Sequence, residues 1–131
     1  MSVFTEAELA YLQTQRLARL ATSSRTGQPD VSAVGFALDG DTIVSGGFDI
    51  SQTVRHGHLL KNPQAAIVID DLATVSPWRP RGVKIRGTAT LEGSPGRQRI
   101  RISPEVIWSW GLNEGAETHF HGVERRVVKG P

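Results

Sequence analysis

The chemically most versatile stretch of this 131-residue chain lies between residues 79 and 101. There Arg79, Arg81, Lys84, Arg86, Arg97, Arg99 and Arg101 stand against one acid, Glu92. Guanidinium forks match phosphate and carboxylate with paired N–H···O bonds. A block of this kind inside a chain whose formal net charge is only +2 points to an anionic partner. The plainer alternative is a solvated sheet face whose cations discourage edge pairing. Within the block, PWRPRG reads as a stiff loop carrying Arg79 and Arg81, and the following strand shows Lys84 and Arg86 on one face. A rigid comb of cations holds an anion with little ordering cost.

A second candidate is GGFDISQTVR, residues 46–55, where a glycine pair leaves a strand and a helix begins. Helix N-termini carry unpaired N–H groups and the positive dipole end, which suits phosphate. Ser51, Gln52 and Thr53 add donors and Arg55 a charge; in the alternative, Ser51 merely caps the helix and Arg55 is solvated. The stretch is not a GxxxxGK[ST] loop, so nucleotide hydrolysis is not expected.

Other chemistry is thinly represented. The chain has no Cys, which excludes thiol catalysis, disulfide scaffolds and Cys–zinc sites. His56 and His58 are two apart on the expected helix and diverge. His119 and His121 form an HxH in the tail, without a third ligand in view, so no metal site is expected. Asp70 and Asp71 project oppositely at a strand end, and there is no GxSxG. No catalytic side chain stands out; an enzyme built this way would rely on a cofactor for reactivity.

The elements that must position these residues are short. Thr5 and Glu8 form a capping box opening a helix over 5–14. Strands are expected over 16–23, 31–38, 42–46, 65–70, 83–91 and 99–110, with Asp39-Gly40 turning a hairpin. Ser51 is expected to cap a second helix over about 52–61, stopped by Pro63. Gly57 inside that helix costs about 1 kcal/mol relative to Ala. On 99–110, Ile100, Ile102, Val106, Trp108 and Trp110 read as one apolar face, core or dimer interface; Ile107 breaks the pattern and Pro104 marks an edge or bulge. The order α-β-β-β-α-β-β-β favours a mainly antiparallel barrel. We expect one domain over 1–112 and a loosely held tail over 113–131. No apolar run approaches ~18 residues, and acids occupy the N-terminus where a signal peptide carries basic residues. A cytoplasmic protein without a membrane partner is expected.

The ordered set LATSSRTGQPDVSAVGF, GG before an Arg-bearing helix, KNPQAAIVIDD, PWRPRGVKIRGTATL and IRISPEVIWSWGL resembles the pyridoxamine 5'-phosphate oxidase-like split barrels. Within them it is most similar to the branch of coenzyme F-420 (deazaflavin)-dependent enzymes, over about residues 3–112. The resemblance implies a mainly β, six-stranded antiparallel split barrel with two short helices. It also implies a homodimer with a cofactor groove at the subunit interface, and an oxidoreductase using F-420 or FMN on a small organic substrate. The segment Ser51–Arg55 matches the phosphate-binding one, so Ser51, Thr53 and Arg55 are expected there. The strand Val31–Phe36, with Val34, is expected to line the ring system, and Arg81–Arg86 to contribute to the groove. The longer anion, F-420, fits the basic block better than FMN. A flavin-sequestering protein without turnover is the first alternative. A nucleic-acid-binding barrel is the second, disfavoured because the basic strand 83–91 carries no aromatic residue.

Overall fold

The computed structural model describes residues 2–112 and 123–129. The chain runs α1 (Glu6–Gln13), β1 (Leu17–Ser23), β2 (Pro29–Gly35), β3 (Ala37–Asp39), β4 (Thr42–Ser45), α2 (Val54–Lys61), β5 (Gln64–Thr74), β6 (Arg79–Glu92), β7 (Arg99–Trp110) and β8 (Glu124–Val127). The strands form one curled sheet in the order β2-β1-β5-β6-β7-β4-β3, with β8 added to β7. Every pairing is antiparallel. The sheet does not close between β2 and β3, so the barrel is split there. Isoleucines and valines from alternate positions (Ile43, Ile67, Ile69, Val83, Ile85, Ile100, Ile102 and Ile107) fill its interior together with Leu12 and Leu20.

The expected class is therefore present, with more strands than expected. The run 31–38 divides at Phe36 into β2 and β3, because the chain must leave one edge of the open sheet and enter the other. Residues 124–127, expected to be loosely held, form β8 on the outer half of β7. The HxH pair His119 and His121 lies outside the described residues.

The pairing of β6 with β7 contains the most consequential departure. Arg86 faces Val106 while Gly87 faces Pro104, leaving Glu105 as an extra residue on β7. Pro104 cannot donate to a ladder, and a bulge tolerates it. A Cβ on Gly87 would collide with the carbonyl of Ser103, so the crossing depends on glycine. The bulge reverses the alternation of β7. Before it, Ile100 and Ile102 point into the core; after it, Ile107 and Ser109 do. Trp108 and Trp110, expected on the apolar face, are carried to the opposite one. Ile107, which seemed to break the pattern, is fully buried.

The capping box forms as expected: the Glu8 amide donates to Thr5 Oγ1 (3.1 Å) and the Thr5 amide to Glu8 Oε1 (3.0 Å). Glu8 is also 0% exposed. Ser109 Oγ donates to Glu8 Oε2 (2.6 Å), and the guanidinium of Arg126 binds both carboxylate oxygens (2.6 and 3.0 Å). Arg126 Nη2 also reaches the Val3 carbonyl (2.9 Å). One carboxylate thus ties α1, β7 and β8 together. Burial raises the pKa of Glu8, but the bonds from Arg126, Ser109 and Thr5 outweigh it and hold the carboxyl below its ordinary value.

A depressed folded pKa gives stability that is present above the unfolded carboxylate pKa of about 4.3 and is lost as pH falls through the folded value. Glu8→Gln leaves Arg126 without its counter-ion and is expected to cost about 2–4 kcal/mol at neutral pH. Urea unfolding at pH 7 and pH 4 checks both points: the gap between wild type and variant narrows at the lower pH.

Candidate functional site

Two groups of side chains are assembled on this scaffold, and they occupy different parts of it. The first lies where β4 ends and α2 begins. The residue that caps α2 is Thr53, not Ser51: the His56 amide donates to Thr53 Oγ1 (3.2 Å), and the helix starts at Val54. The Ser51 amide instead donates to Asp49 Oδ1 (3.0 Å). That bond, with one from the Ser51 hydroxyl, holds the Asp49 carboxyl below its ordinary pKa. Sequence spacing allows either cap; the local Asx turn at Asp49 decides it by engaging Ser51 first.

Arg55 sits in the first turn, and its guanidinium reaches the Gly46-Gly47 corner. A Cβ on Gly47 would lie 3.9 Å from Arg55 Nη2 and 3.3 Å from Ile50. A Cβ on Gly46 would press on the Arg99 side chain (3.3 Å). Gly46 therefore leaves room for the Arg99 stem, while the Arg55 guanidinium lies in ordinary contact with the Gly47 position. His56 Nε2 shares a 2.7 Å hydrogen bond with Gln98 Oε1, which fastens α2 to the start of β7. On the far side of the helix, His58 Nδ1 shares one with Thr22 Oγ1 (2.9 Å), so the two imidazoles do diverge. Two buried polar atoms here have no partner among the described residues, Arg55 Nε and Ser45 Oγ. A buried donor without an acceptor costs about 1–3 kcal/mol. Phe48 and Val54, in the same segment, are exposed. The arrangement offers an arginine, a helix N-terminus and a hydroxyl to an anion.

The second group lies on the outer face of the sheet, and strand register organises it. One row crosses six strands as Ala33, Arg19, Val68, Lys84, Trp108 and Arg125. The next runs Val31, Ala21, Ala66, Arg86, Val106 and Val127. Lys84 Nζ stands 4.3 Å from the centroid of the Trp108 ring, the Arg86 guanidinium 5.1 Å and that of Arg125 5.7 Å. Beside them runs an open groove of about 510 Å³ lined by Ala21, Ser23, Pro29, Gln64, Ala66, Arg86 and Glu105. Glu105 is taken by Thr88 (2.5 Å) and Lys129 (3.3 Å). Its pKa is lowered, chiefly by the Thr88 hydroxyl.

The expected site residues are thus partly united. Ser51, Thr53 and Arg55 meet at α2; Lys84 and Arg86 meet around Trp108. Arg79 and Arg81 lie in β6, not in a loop, and Arg81 is held by Asp71 (2.7 and 3.0 Å) beneath Tyr11, whose hydroxyl donates to the same carboxylate (2.8 Å). Burial and that carboxylate push the Tyr11 hydroxyl well above its ordinary pKa. Arg101 is bound by Glu92 and Asp39 (both 2.8 Å). Val34 points into the core, while Val31 on the same strand faces outward. Sequence reasoning missed Trp108 and Arg125 as partners of the basic strand, Gln98 as the partner of His56 and Arg99 at the Gly46 corner. Pro104, and Ile107 breaking the pattern after it, were the available signs of the reversal that carries Trp108 outward.

Among the described residues, no helix is long and apolar enough to cross a membrane. The family model described as pyridoxamine 5'-phosphate oxidase matches residues 4–111. The chain is 34% identical over 128 residues to the 5a,11a-dehydrotetracycline/5a,11a-dehydrooxytetracycline reductase of Streptomyces rimosus, covering 90% of each. Among solved structures it is similar to a conserved hypothetical protein, Rv2991, of Mycobacterium tuberculosis (TM-score 0.72, 21% identity, 90% of this chain and 91% of that one). It is also similar to an F-420 reductase (TM-score 0.64, 18% identity, 79% of this chain and 98% of that one). At these identities the two structures speak to the fold.

Gly57 follows His56 in α2, and nothing lies within 4 Å of the position a Cβ would take there. Gly57→Ala is expected to stabilise the protein by about 0.5–1 kcal/mol, the helix-propensity difference, without disturbing Arg55. A rise in the urea midpoint with an unchanged slope checks it.

Proposed function

The chain belongs to the pyridoxamine 5'-phosphate oxidase family, and from that premise we propose that it is a reductase that passes a hydride to a small organic acceptor, with coenzyme F-420 as donor and FMN as the second choice. One observation carries the reading: Arg55 Nε is buried without a partner among the described residues, in the first turn of α2 and beside the Gly46-Gly47 corner. A phosphate monoester supplies acceptors for that guanidinium and for the free amides of the first helical turn. The reductase relative, which the chain matches over nearly its whole length, supports the reaction class. The additional cations on β6 and β7 support the longer anion, F-420, over FMN.

A bound reduced coenzyme would supply a hydride to an electron-poor carbon of the acceptor, with the balancing proton coming from water. The protein's own share is positioning and electrostatics. Arg55 and the α2 amides hold the phosphate. Lys84 and Arg86 place positive charge where the acceptor accumulates negative charge.

A second copy of the chain completes the site in this reading. Leu17 and Val31 are 60% and 65% exposed on the outer face of β1 and β2, and Val31 pairs with Ala21 of the groove. Docking a partner there covers them and turns the open groove into a cleft.

Two measurements test these statements. Titration with F-420 and with FMN, followed by fluorescence, is expected to show micromolar binding of at least one, weakened tenfold or more by Arg55→Ala; no binding of either would discard the reading. In light scattering the wild type is expected as a dimer and the double variant Leu17→Glu, Val31→Glu as a monomer.

A further inference from the structure

Glu105 stands outside the register of β6 as the extra residue of the β7 bulge, and the C-terminal segment holds it by main chain and side chain alike. Its carbonyl accepts from the amides of Val128 (2.9 Å) and Lys129 (3.4 Å). Its Oε2 accepts from the Thr88 hydroxyl and from Lys129 Nζ (3.3 Å), while Oε1 takes no bond among the described residues. Glu105 and Arg86 line the same groove from adjacent strands, and Arg86 is the one cation among the described residues of its lining. Long side chains on neighbouring strands lie within reach of each other. Even so, the ion pair of Glu105 is with Lys129. The Thr88 hydroxyl and the Lys129 ammonium lower the Glu105 pKa, and the Arg86 charge adds to that through space.

Two cations therefore flank one carboxylate. Arg86 is fixed by β6, whereas Lys129 arrives only with β8, a strand of four residues paired to β7 alone. A short edge strand opens locally at lower cost than the barrel beneath it. With Lys129 in place, Glu105 is drawn toward Thr88 and the C-terminal segment. Without it, Thr88 still binds one carboxylate oxygen, but nothing opposes rotation of the other onto Arg86. A carboxylate there cancels the charge that an incoming anion would meet.

We propose that Lys129 is a positioning residue of the groove: it holds Glu105 off Arg86 and so keeps Arg86 available to an anion. When Lys129 withdraws, Glu105 pairs with Arg86 and the groove stops receiving anions. The inference rests on the reading above in one respect, that Arg86 meets negative charge on the acceptor, and it adds a control. Because Lys129 comes with β8, docking of that strand and anion affinity favour each other by the same factor. Glu8 and Arg126, which anchor β8 from within, thereby act on the groove from the other side of the sheet.

Iodide, an anionic quencher, reads the charge beside Trp108, whose ring lies 5.1 Å from the Arg86 guanidinium; acrylamide, uncharged, reads the exposure of the same ring. Subtracting the matching Trp108→Phe protein isolates this signal from Trp78 and Trp110. The Lys129 and Glu105 side chains are 64% and 37% exposed, so variants there are expected to fold. At constant ionic strength, Lys129→Met is expected to lower the ratio of iodide to acrylamide quenching roughly twofold, the scale of one charge acting across several ångströms of water. In a Glu105→Gln background the same substitution is expected to change the ratio far less. Lys129→Arg is expected to match the wild type. No fall in the ratio overturns the proposal, as does an equal fall with and without Glu105→Gln, which loss of the lysine charge alone would give. No coenzyme enters these measurements. A failed Lys129 response with coenzyme binding intact sinks this proposal alone, and absent coenzyme binding with the Lys129 response intact sinks the reductase reading alone.

Discussion

One extra residue, Glu105, organises much of the molecule. Because Arg86 pairs with Val106 and Gly87 with Pro104, strand β7 changes the face that each parity presents. Its first half offers Ile100 and Ile102 to the core and pairs along its free edge with β4. Its second half offers Ile107 and Ser109 to the core and pairs with β8. A regular strand would have buried two tryptophans beside Ile102, and no ring would then stand among the cations of β6. The reversal costs one glycine at position 87 and one ladder bond at Pro104, both of which a bulge accommodates.

The second half of β7 also receives the network that holds the chain's two ends. Ser109 points inward only because of the bulge, and inward it meets Glu8. Glu8 in turn accepts Arg126 from β8, directly opposite Ile107 in register. The residue that places Arg125 beside Trp108 on the outer face is therefore the neighbour of the residue that anchors the strand within. Arg125 outside and Arg126 inside occupy the two faces of one short strand, so a change at Glu8 that releases β8 removes a cation from the outer face as well.

The barrel was legible in the sequence because alternation and turn chemistry agree over most of it: 83–91 alternates cleanly, Asp39-Gly40 turns where a hairpin needs it, and the capping box at Thr5 has only one reading. What escaped were features settled by competition between neighbours. Thr53 takes the cap of α2 because Asp49 already holds Ser51. Arg81 reads as a free cation in PWRPRG, yet Asp71 lies across β5 and β6 from it, a contact that linear distance hides. Trp108 reads as core because parity was counted through Pro104 without a break. The site followed the same rule. Arg55 was visible from its place in a helical first turn, whereas Arg125 reaches the basic strand only through a pairing distant in sequence.

Net charge understates how this chain meets anions. Its formal +2 is a sum in which most acids near the basic segment are already committed: Asp71 to Arg81, Glu92 and Asp39 to Arg101, Asp70 to Arg19, Glu105 to Lys129. Those pairs cancel at short range and leave Lys84, Arg86 and Arg125 as a local concentration of charge that Glu105, acting on Arg86 as well, offsets in part. At physiological ionic strength screening sets in beyond about 8 Å, so the weak net charge of the molecule does little to gather ligands from a distance. The cluster therefore acts at short range, from arginines and a lysine that strand register holds in place.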